Sequence, residues 1–274
     1  MKDTPLGTSE IADVTGLLCR GFYSTAFQPI LHTGTRSQFG FEALLRGPAG
    51  TPLAMPARVF DYCEAGDPSL LLRLDKACIG SAVRTARLLP QEEQLFINIH
   101  GNTALTLSPV IFMRLLEELG IDPGRIIFEI SERTSEKNIR EVAVKLAAFR
   151  AHGIRVALDD VGVGHPWLSH LLWLEPDFVK LDRALITGID GNLRQKRLVG
   201  ALVPMVDRMG ATLIAEGIET LEEHEALVEL GVALVQGYYF GMPLPADMYT
   251  GGSCGLDFCP VSGLSDFFPA QEAW

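Results

Sequence analysis

"VALDDVGVGH", residues 156–165, runs from an apolar stretch straight into two adjacent carboxylates and then a glycine-spaced loop. Val156, Ala157 and Leu158 have the character of a strand buried on both faces, so Asp159 and Asp160 stand where that strand reaches its rim. On a solvated helix face, neighbouring acids need no explanation. At the edge of a core they need a counter-charge.

The pattern recurs outward in both directions. "LFINI" (95–99), "RIIFEI" (125–130), "IRVALDD" (154–160), "DFVKLD" (177–182), "ATLIAEG" (211–217) and "ALVQGYYF" (233–240) read as short buried strands, preceded by "TAFQPIL" (25–31) and "FGFEALLRG" (39–47). Between them, 108–119, 137–152, 192–209 and 220–230 have helical spacing of apolar residues. In 220–231, Thr220 is a cap, glutamates follow early, Leu221, Ala226, Leu227 and Leu230 face inward, and Gly231 is a stop. Residues 196–206 read as a core-facing helix that Pro204 would kink.

Strand–helix alternation predicts a parallel α/β sheet. Polar residues end successive strands: Asn98, Glu129, Asp159 with Asp160, Lys180, Glu216 and Gln236. In a closed barrel all of these share one mouth, whereas an open sheet would spread them along an edge. A barrel is therefore expected over residues 23–248, with a 1–22 N-terminal extension and a 249–274 tail rich in Gly, Ser and Pro that carries Phe258, Phe267, Phe268 and Trp274.

Composition narrows the function. The chain has 274 residues, a formal net charge of −11, and no basic run longer than two residues. That argues against long nucleic acid and anionic membrane as partners. No apolar run approaches the ~18 residues of a membrane span, and the start lacks a secretory pattern, so a cytoplasmic protein is expected. Cys19, Cys63, Cys78, Cys254 and Cys259 form no CxxC pair and read as reduced thiols.

Taken singly, each acid reads as a solvated or paired group. Gathered at one mouth, with Glu42 from 39–47 added, they cannot all ionise without a cation. An all-oxygen donor set without Cys or His points to a hard divalent ion, Mg²⁺, Mn²⁺ or Ca²⁺. Two such ions ~3.5–4 Å apart, bridged by a carboxylate, are a usual device for phosphoester hydrolysis. Lys180 would then polarise an attacking water.

These residues carry a resemblance. "FQPIL", "GFEALLRG", "FINIHGN", "IIFEISE", "VALDDVGVG", "DFVKLDRALI", "LIAEGIET" and "VQGYYFGMPLP" resemble, in order and spacing, the EAL-domain cyclic di-GMP phosphodiesterases. The resemblance implies a modified TIM-type (β/α)8 barrel whose first strand is antiparallel. It implies Glu42, Asn98, Glu129 and Asp159 as ligands of one metal, with Asp159 bridging to a second held also by Asp160 and Glu216. Lys180 would contact the nucleophilic water and Gln236 support it, while Glu132 anchors the loop after the Asp pair. Gln28 and Arg46 match substrate-contacting positions; Asp182 lies beside the site and would hold Lys180. Two Mg²⁺ or Mn²⁺ per site are implied, with Ca²⁺ inhibitory, and a homodimer. The implied reaction is in-line attack of a metal-bound hydroxide on one phosphorus of cyclic di-GMP, releasing linear 5′-pGpG.

The chain departs from the family at "DDVGVGHPWL" (159–168), where Val161, Val163, His165, Pro166 and Trp167 replace the usual aromatic, threonine and Tyr-Ser-Ser, and at Gly47, where an aromatic commonly follows Arg46. Two other readings stand beside the enzyme: a receptor that binds cyclic di-GMP without cleaving it, and a scaffold that regulates a protein partner. No cyclase-like or receiver-like block precedes residue 23, so regulation is expected from a partner, from expression or from the termini.

Overall fold

The computed structural model describes residues 23–47, 60, 63, 68–131, 134, 136–162 and 167–249. The expected extension, the tail beyond residue 249, Glu132 and residues 163–166 of the departing loop lie outside the described residues.

The chain enters as β1 (Ser24–His32) and returns as β2 (Gln38–Arg46), an antiparallel hairpin. Then follow α1 (Pro68–Ala86), β3 (Gln94–Asn98), α2 (Gly101–Thr106), α3 (Pro109–Leu119), β4 (Ile126–Ser131), α4 (Glu136–Arg150), β5 (Arg155–Val161) and α5 (Trp167–Leu174). The remainder is β6 (Phe178–Leu181), α6 (Arg183–Ile186), α7 (Leu193–Arg208), β7 (Thr212–Ala215), α8 (Leu221–Glu229), β8 (Leu234–Gln236) and β9 (Leu244–Pro245). Strands β2 to β8 are parallel and adjacent in sequence order. β1 pairs antiparallel with both β2 and β8, which closes the barrel. The expected barrel with an antiparallel first strand is what the chain forms.

Two apolar layers hold it. Outside the strands, Phe112, Phe128 and Phe149 pack edge-to-face or tilted, with centroids 5.3–6.0 Å apart. Inside, Ile30, Phe96, Ile127, Ala157, Phe178, Ile214 and Leu234 fill one end of the barrel, with Phe39 packed against them. This plug makes the barrel a solid core open at one mouth.

Local chemistry sets the element ends. Ser108 caps α3, Pro109 opens it, and Gly120 at φ 66° closes it. Thr220 and Glu223 form a reciprocal capping box at α8. α7 runs continuously through Pro204. β7 and β8 are shorter than expected. The chain turns at Gly217, φ 70°, and a Cβ at Gly237 would overlap the Ile218 backbone.

Candidate active site

The barrel interior alternates with period two. Two residues toward the mouth from each plug residue stands a polar side chain: Phe96 then Asn98, Ile127 then Glu129, Ala157 then Asp159, Phe178 then Lys180, Ile214 then Glu216, Leu234 then Gln236. Strand β1 runs the other way, so Ile30 is followed, two residues back, by Gln28. Register places Asn98 opposite Glu129 and Gln28 opposite Glu42. One polar layer thus sits on one apolar layer, and seven strands supply it, with Glu42 added from β2.

At its centre is Lys180, fully buried. Its Nζ lies 2.5 Å from Glu129 Oε1, 2.7 Å from Glu216 Oε1, 3.3 Å from Glu42 Oε2 and 3.4 Å from Asp159 Oδ1. Asn98 donates from Nδ2 to Glu42 Oε1 at 2.9 Å and to Glu129 Oε2 at 3.0 Å. Gln236 donates from Nε2 to Glu42 Oε2 at 2.6 Å and to Gln28 Oε1 at 3.1 Å, and Gln28 donates onward to the Gly241 carbonyl. The buried Gln236 Oε1 accepts no hydrogen bond from the described protein.

The charges do not balance. Burial alone would discharge Lys180, but Asp159, Glu129, Glu216 and Glu42 hold its ammonium far above its ordinary range. Burial would also raise Glu42, yet Lys180 and the amides of Gln236 and Asn98 keep it below the usual carboxylate value. Burial pushes Glu129 and Glu216 well up despite Lys180, and repulsion from Asp159 and Glu42 adds to it. Asp159 is raised to about 6, by burial first and then by Asp160 and Glu42, against Lys180. One ammonium cannot neutralise this many acids. The excess negative charge on oxygen donors is what a hard divalent cation relieves, so the residues fit such an ion. Among the described residues the acids form no ready-made three-ligand cage, because their oxygens close on Lys180.

Asp160 stands apart. It adopts φ 60° at the irregularity between Leu158 and Val161, and its Oδ2 accepts from Ser131 Oγ at 3.4 Å. Asp182, expected to hold Lys180, does not: its Oδ1 accepts the Ala184 N–H at 2.7 Å and caps α6. β6 ends at Leu181, so Lys180 points inward from the strand while Asp182 lies past its end, at the rim, as the cap of α6. Both Asp160 and Asp182 line the cavity above the layer, about 290 Å³, together with Gln28, Glu42, Arg46 and Glu216. Burial lowers the Arg46 guanidinium pKa, and Tyr238 and Glu42 oppose that shift. Arg183 and Glu219, an ion pair at 3.3 Å, also line the mouth. Sequence reading missed them, because they sit on connecting segments that the period-two pattern does not reach.

The fold and this strand-end layer define a modified TIM barrel with an acidic mouth whose oxygen donors fit a hard divalent cation. The EAL domain family profile matches residues 15–243, and the chain belongs to that family. It is 29% identical over 238 residues to the probable cyclic di-GMP phosphodiesterase PdeN of Escherichia coli, covering 85% of this chain and 46% of PdeN. It is 27% identical over 259 residues to the cyclic di-GMP phosphodiesterase RocR of Pseudomonas aeruginosa, covering 92% of this chain and 64% of RocR. The chain thus spans about half to two thirds of these relatives. Klebsiella pneumoniae BlrP1, solved in a manganese and cyclic di-GMP complex, superposes with a TM-score of 0.71 at 30% identity, over 81% of this chain and 56% of that one. Its calcium and cyclic di-GMP complex gives a TM-score of 0.74 at 28% identity, over 89% and 58%. Among the described residues no helix is long and apolar enough to cross a membrane.

Proposed function

We propose that this chain is a divalent-metal-dependent phosphodiesterase that hydrolyses cyclic di-GMP to linear 5′-pGpG. The observation that carries this reading is the convergence of Glu42, Glu129, Asp159 and Glu216, from separate segments, within 3.4 Å of one buried ammonium beneath an open cavity. Names borne by the relatives support the substrate; the donor chemistry supports the metal.

Two cations, Mg²⁺ or Mn²⁺, would be held by Glu42, Asn98, Glu129 and Asp159 and, sharing Asp159, by Asp160 and Glu216. When bound, they neutralise phosphate oxygens and make water acidic enough to serve as nucleophile. Ca²⁺, with its longer and looser coordination, is proposed to occupy the site without supporting turnover. Lys180 would direct its ammonium at the nucleophilic water once its carboxylate partners were shared with a cation. The open Gln236 Oε1 accepts one of that water's hydrogens and fixes its orientation. The water oxygen bonds to phosphorus and the P–O3′ bond opposite breaks; the water gives up one proton to solvent, and the leaving oxygen takes one from solvent. Arg46 meets a phosphate, while Gln28 and Asp182 bound the space for the rest of the nucleotide. Glu132 is assigned to anchoring the loop after the Asp pair.

Incubating purified protein with labelled cyclic di-GMP and Mg²⁺ or Mn²⁺, then separating the products, tests the reading. Linear pGpG that disappears in Glu42→Ala supports it; intact substrate in both metals defeats it.

One observation favours a second reading. Asp160 stays outside the Lys180 cluster, so the second cation position is the weaker one, and a receptor that binds cyclic di-GMP without cleaving it follows from its loss. Micromolar binding without product distinguishes that receptor. We further assign the 23–248 barrel as the functional unit, in the cytoplasm, as a homodimer open to a regulatory protein partner. The exposed Leu168, Leu172 and Trp173 on α5 and Val144 on α4 offer an apolar face for a second copy.

A further inference from the structure

Asp75 is a carboxylate that the proposed chemistry does not touch, yet it is only 2% exposed on α1. Its Oδ2 accepts the His100 N–H at 2.9 Å, and the buried Thr103 hydroxyl stands beside it. A carboxylate is costly to bury, so one kept here must be holding something. What it holds is the backbone two residues beyond Asn98.

That backbone is a short turn between β3 and α2. Its Ile99 N–H donates to the Glu129 carbonyl at 3.0 Å, and His100 caps α2, its Nδ1 accepting the Asn102 N–H at 3.2 Å. The turn is therefore tied to the Glu129 strand on one side and to α1, through Asp75, on the other. Between α1 and the strand ends lies a cavity of about 280 Å³, lined among the described residues by Asp75, Cys78, Ala82, Leu45, Asn98 and Glu129. Asp75 and His100 both line this cavity, and the hydrogen bond between them ties α1 to the turn across it. Asn98 must keep its amide on both Glu42 and Glu129, and a displacement of about 1 Å at such a position is enough to cost ~10²-fold in rate.

We propose that Asp75 is a positioning residue: from α1 it fixes the β3–α2 turn, and through that turn sets Asn98 where Glu42 and Glu129 share the first cation. The assignment rests on the phosphodiesterase reading above. It adds a group that acts from outside the mouth, through a backbone amide.

Four variants test it, each checked for fold by circular dichroism and thermal unfolding. Asp75→Ala removes the acceptor, whereas Asp75→Asn keeps an acceptor oxygen. His100→Pro removes the N–H from the other side together with the imidazole cap, without straining the backbone, since His100 already has φ −67° and proline needs about that value. His100→Ala drops the cap but keeps the N–H. The readouts are Mn²⁺ binding, followed by the electron paramagnetic resonance of the free ion, and kcat and KM for cyclic di-GMP. Asp75→Ala and His100→Pro should bind Mn²⁺ about 10-fold more weakly and lose about 10–100-fold in kcat, with KM changed less than about threefold. Asp75→Asn and His100→Ala should stay within about threefold of the parent. Unchanged Mn²⁺ affinity and kcat in Asp75→Ala and His100→Pro would overturn the proposal, as would an Asp75→Asn as damaged as Asp75→Ala. Should Asp75→Ala fail to fold, His100→Pro decides, because it leaves the carboxylate in place. If the parent binds Mn²⁺ but cleaves nothing, the phosphodiesterase reading falls while the Mn²⁺ comparison still judges the tie. A parent that binds no Mn²⁺ overturns both.

Discussion

Lys180 is the residue on which the site turns. It serves as counter-charge to three buried acids and the partly buried Glu216, and a divalent cation would take over that role. Lys180→Met should therefore separate the two functions. Removing one partner of a buried ion cluster costs about 3–5 kcal/mol, which for a domain of this size lowers Tm by about 10 °C. In EDTA the variant should show that loss. With Mn²⁺ most of the Tm should return while hydrolysis stays depressed at least ~10²-fold. Asp159 gives the pH dependence. Its folded value of about 6 lies above the ordinary Asp value of about 3.9. Its protonated form thus favours the metal-free fold at low pH, and that contribution fades as pH rises from about 4 to about 6. Metal needs the ionised form, so the Tm gain on adding Mn²⁺ should be small at pH 5 and reach its plateau above about pH 7, measured by thermal unfolding across that range.

Residue by residue, much of the site was legible. The strand-end acids and Lys180 could be picked out because an apolar residue two positions earlier marks each as inward-facing. Gln28 lay within reach of the same logic once β1 was known to run backwards. Asp182 misled, since two residues from Lys180 it would share that residue's face if the strand continued, but β6 stops at Leu181 and Asp182 caps the next helix instead. Asp75 was invisible because a lone acid in a helical segment looks solvated until its partner amide is placed.

At the scale of elements, turns decide where ligands stand. Gly237 follows Gln236, and any Cβ there would collide with the Ile218 backbone, which itself bonds to Gln236 and Tyr239. Gly237→Ala should force the segment after β8 away from the one after β7. Overpacking of this kind costs about 1–3 kcal/mol, and because it shifts Gln236 and Glu216 together, kcat should fall more than Tm; paired kinetics and melting check that. All expected strands but the one at 233–240, and the helices at 109–119, 136–150, 193–208 and 221–229, were readable to within about two residues, because caps and stops bracket a clear period. α1 and α5 were not. α5, "WLSHLLWL", is apolar around nearly its whole circumference, so it has no period to read. α1 mixes Cys, Ile, Gly, Ser and Val into its second half, which dilutes its helical propensity. The strands at 211–217 and 233–240 were read too long, since "EG" and "GYYF" look extended until the tight approach of Gly237 to Ile218 is seen.

The whole molecule is a sheet closed by one reversed strand, and closure is what gathers residues from 28 to 236 into one layer. Parallel alternation was legible as a barrel from the run of polar strand ends; the reversal of β1 came only with the family resemblance, because a nine-residue strand carries no mark of its direction. Since the site is made by the entire ring, ligand binding should stabilise the ring as a unit. Cyclic di-GMP with Ca²⁺, at about 100 times its Kd, should add about 2.7 kcal/mol and raise Tm by roughly 5–10 °C, with no gain from the linear dinucleotide lacking metal. The central claim is narrower: water is added across one phosphodiester of the ring. A single turnover of cyclic di-GMP with Mn²⁺ in ¹⁸O-water, read by mass spectrometry, measures that event itself. The account predicts linear pGpG with one ¹⁸O on its terminal 5′ phosphate; intact cyclic dinucleotide, or a linear product without the label, would contradict it.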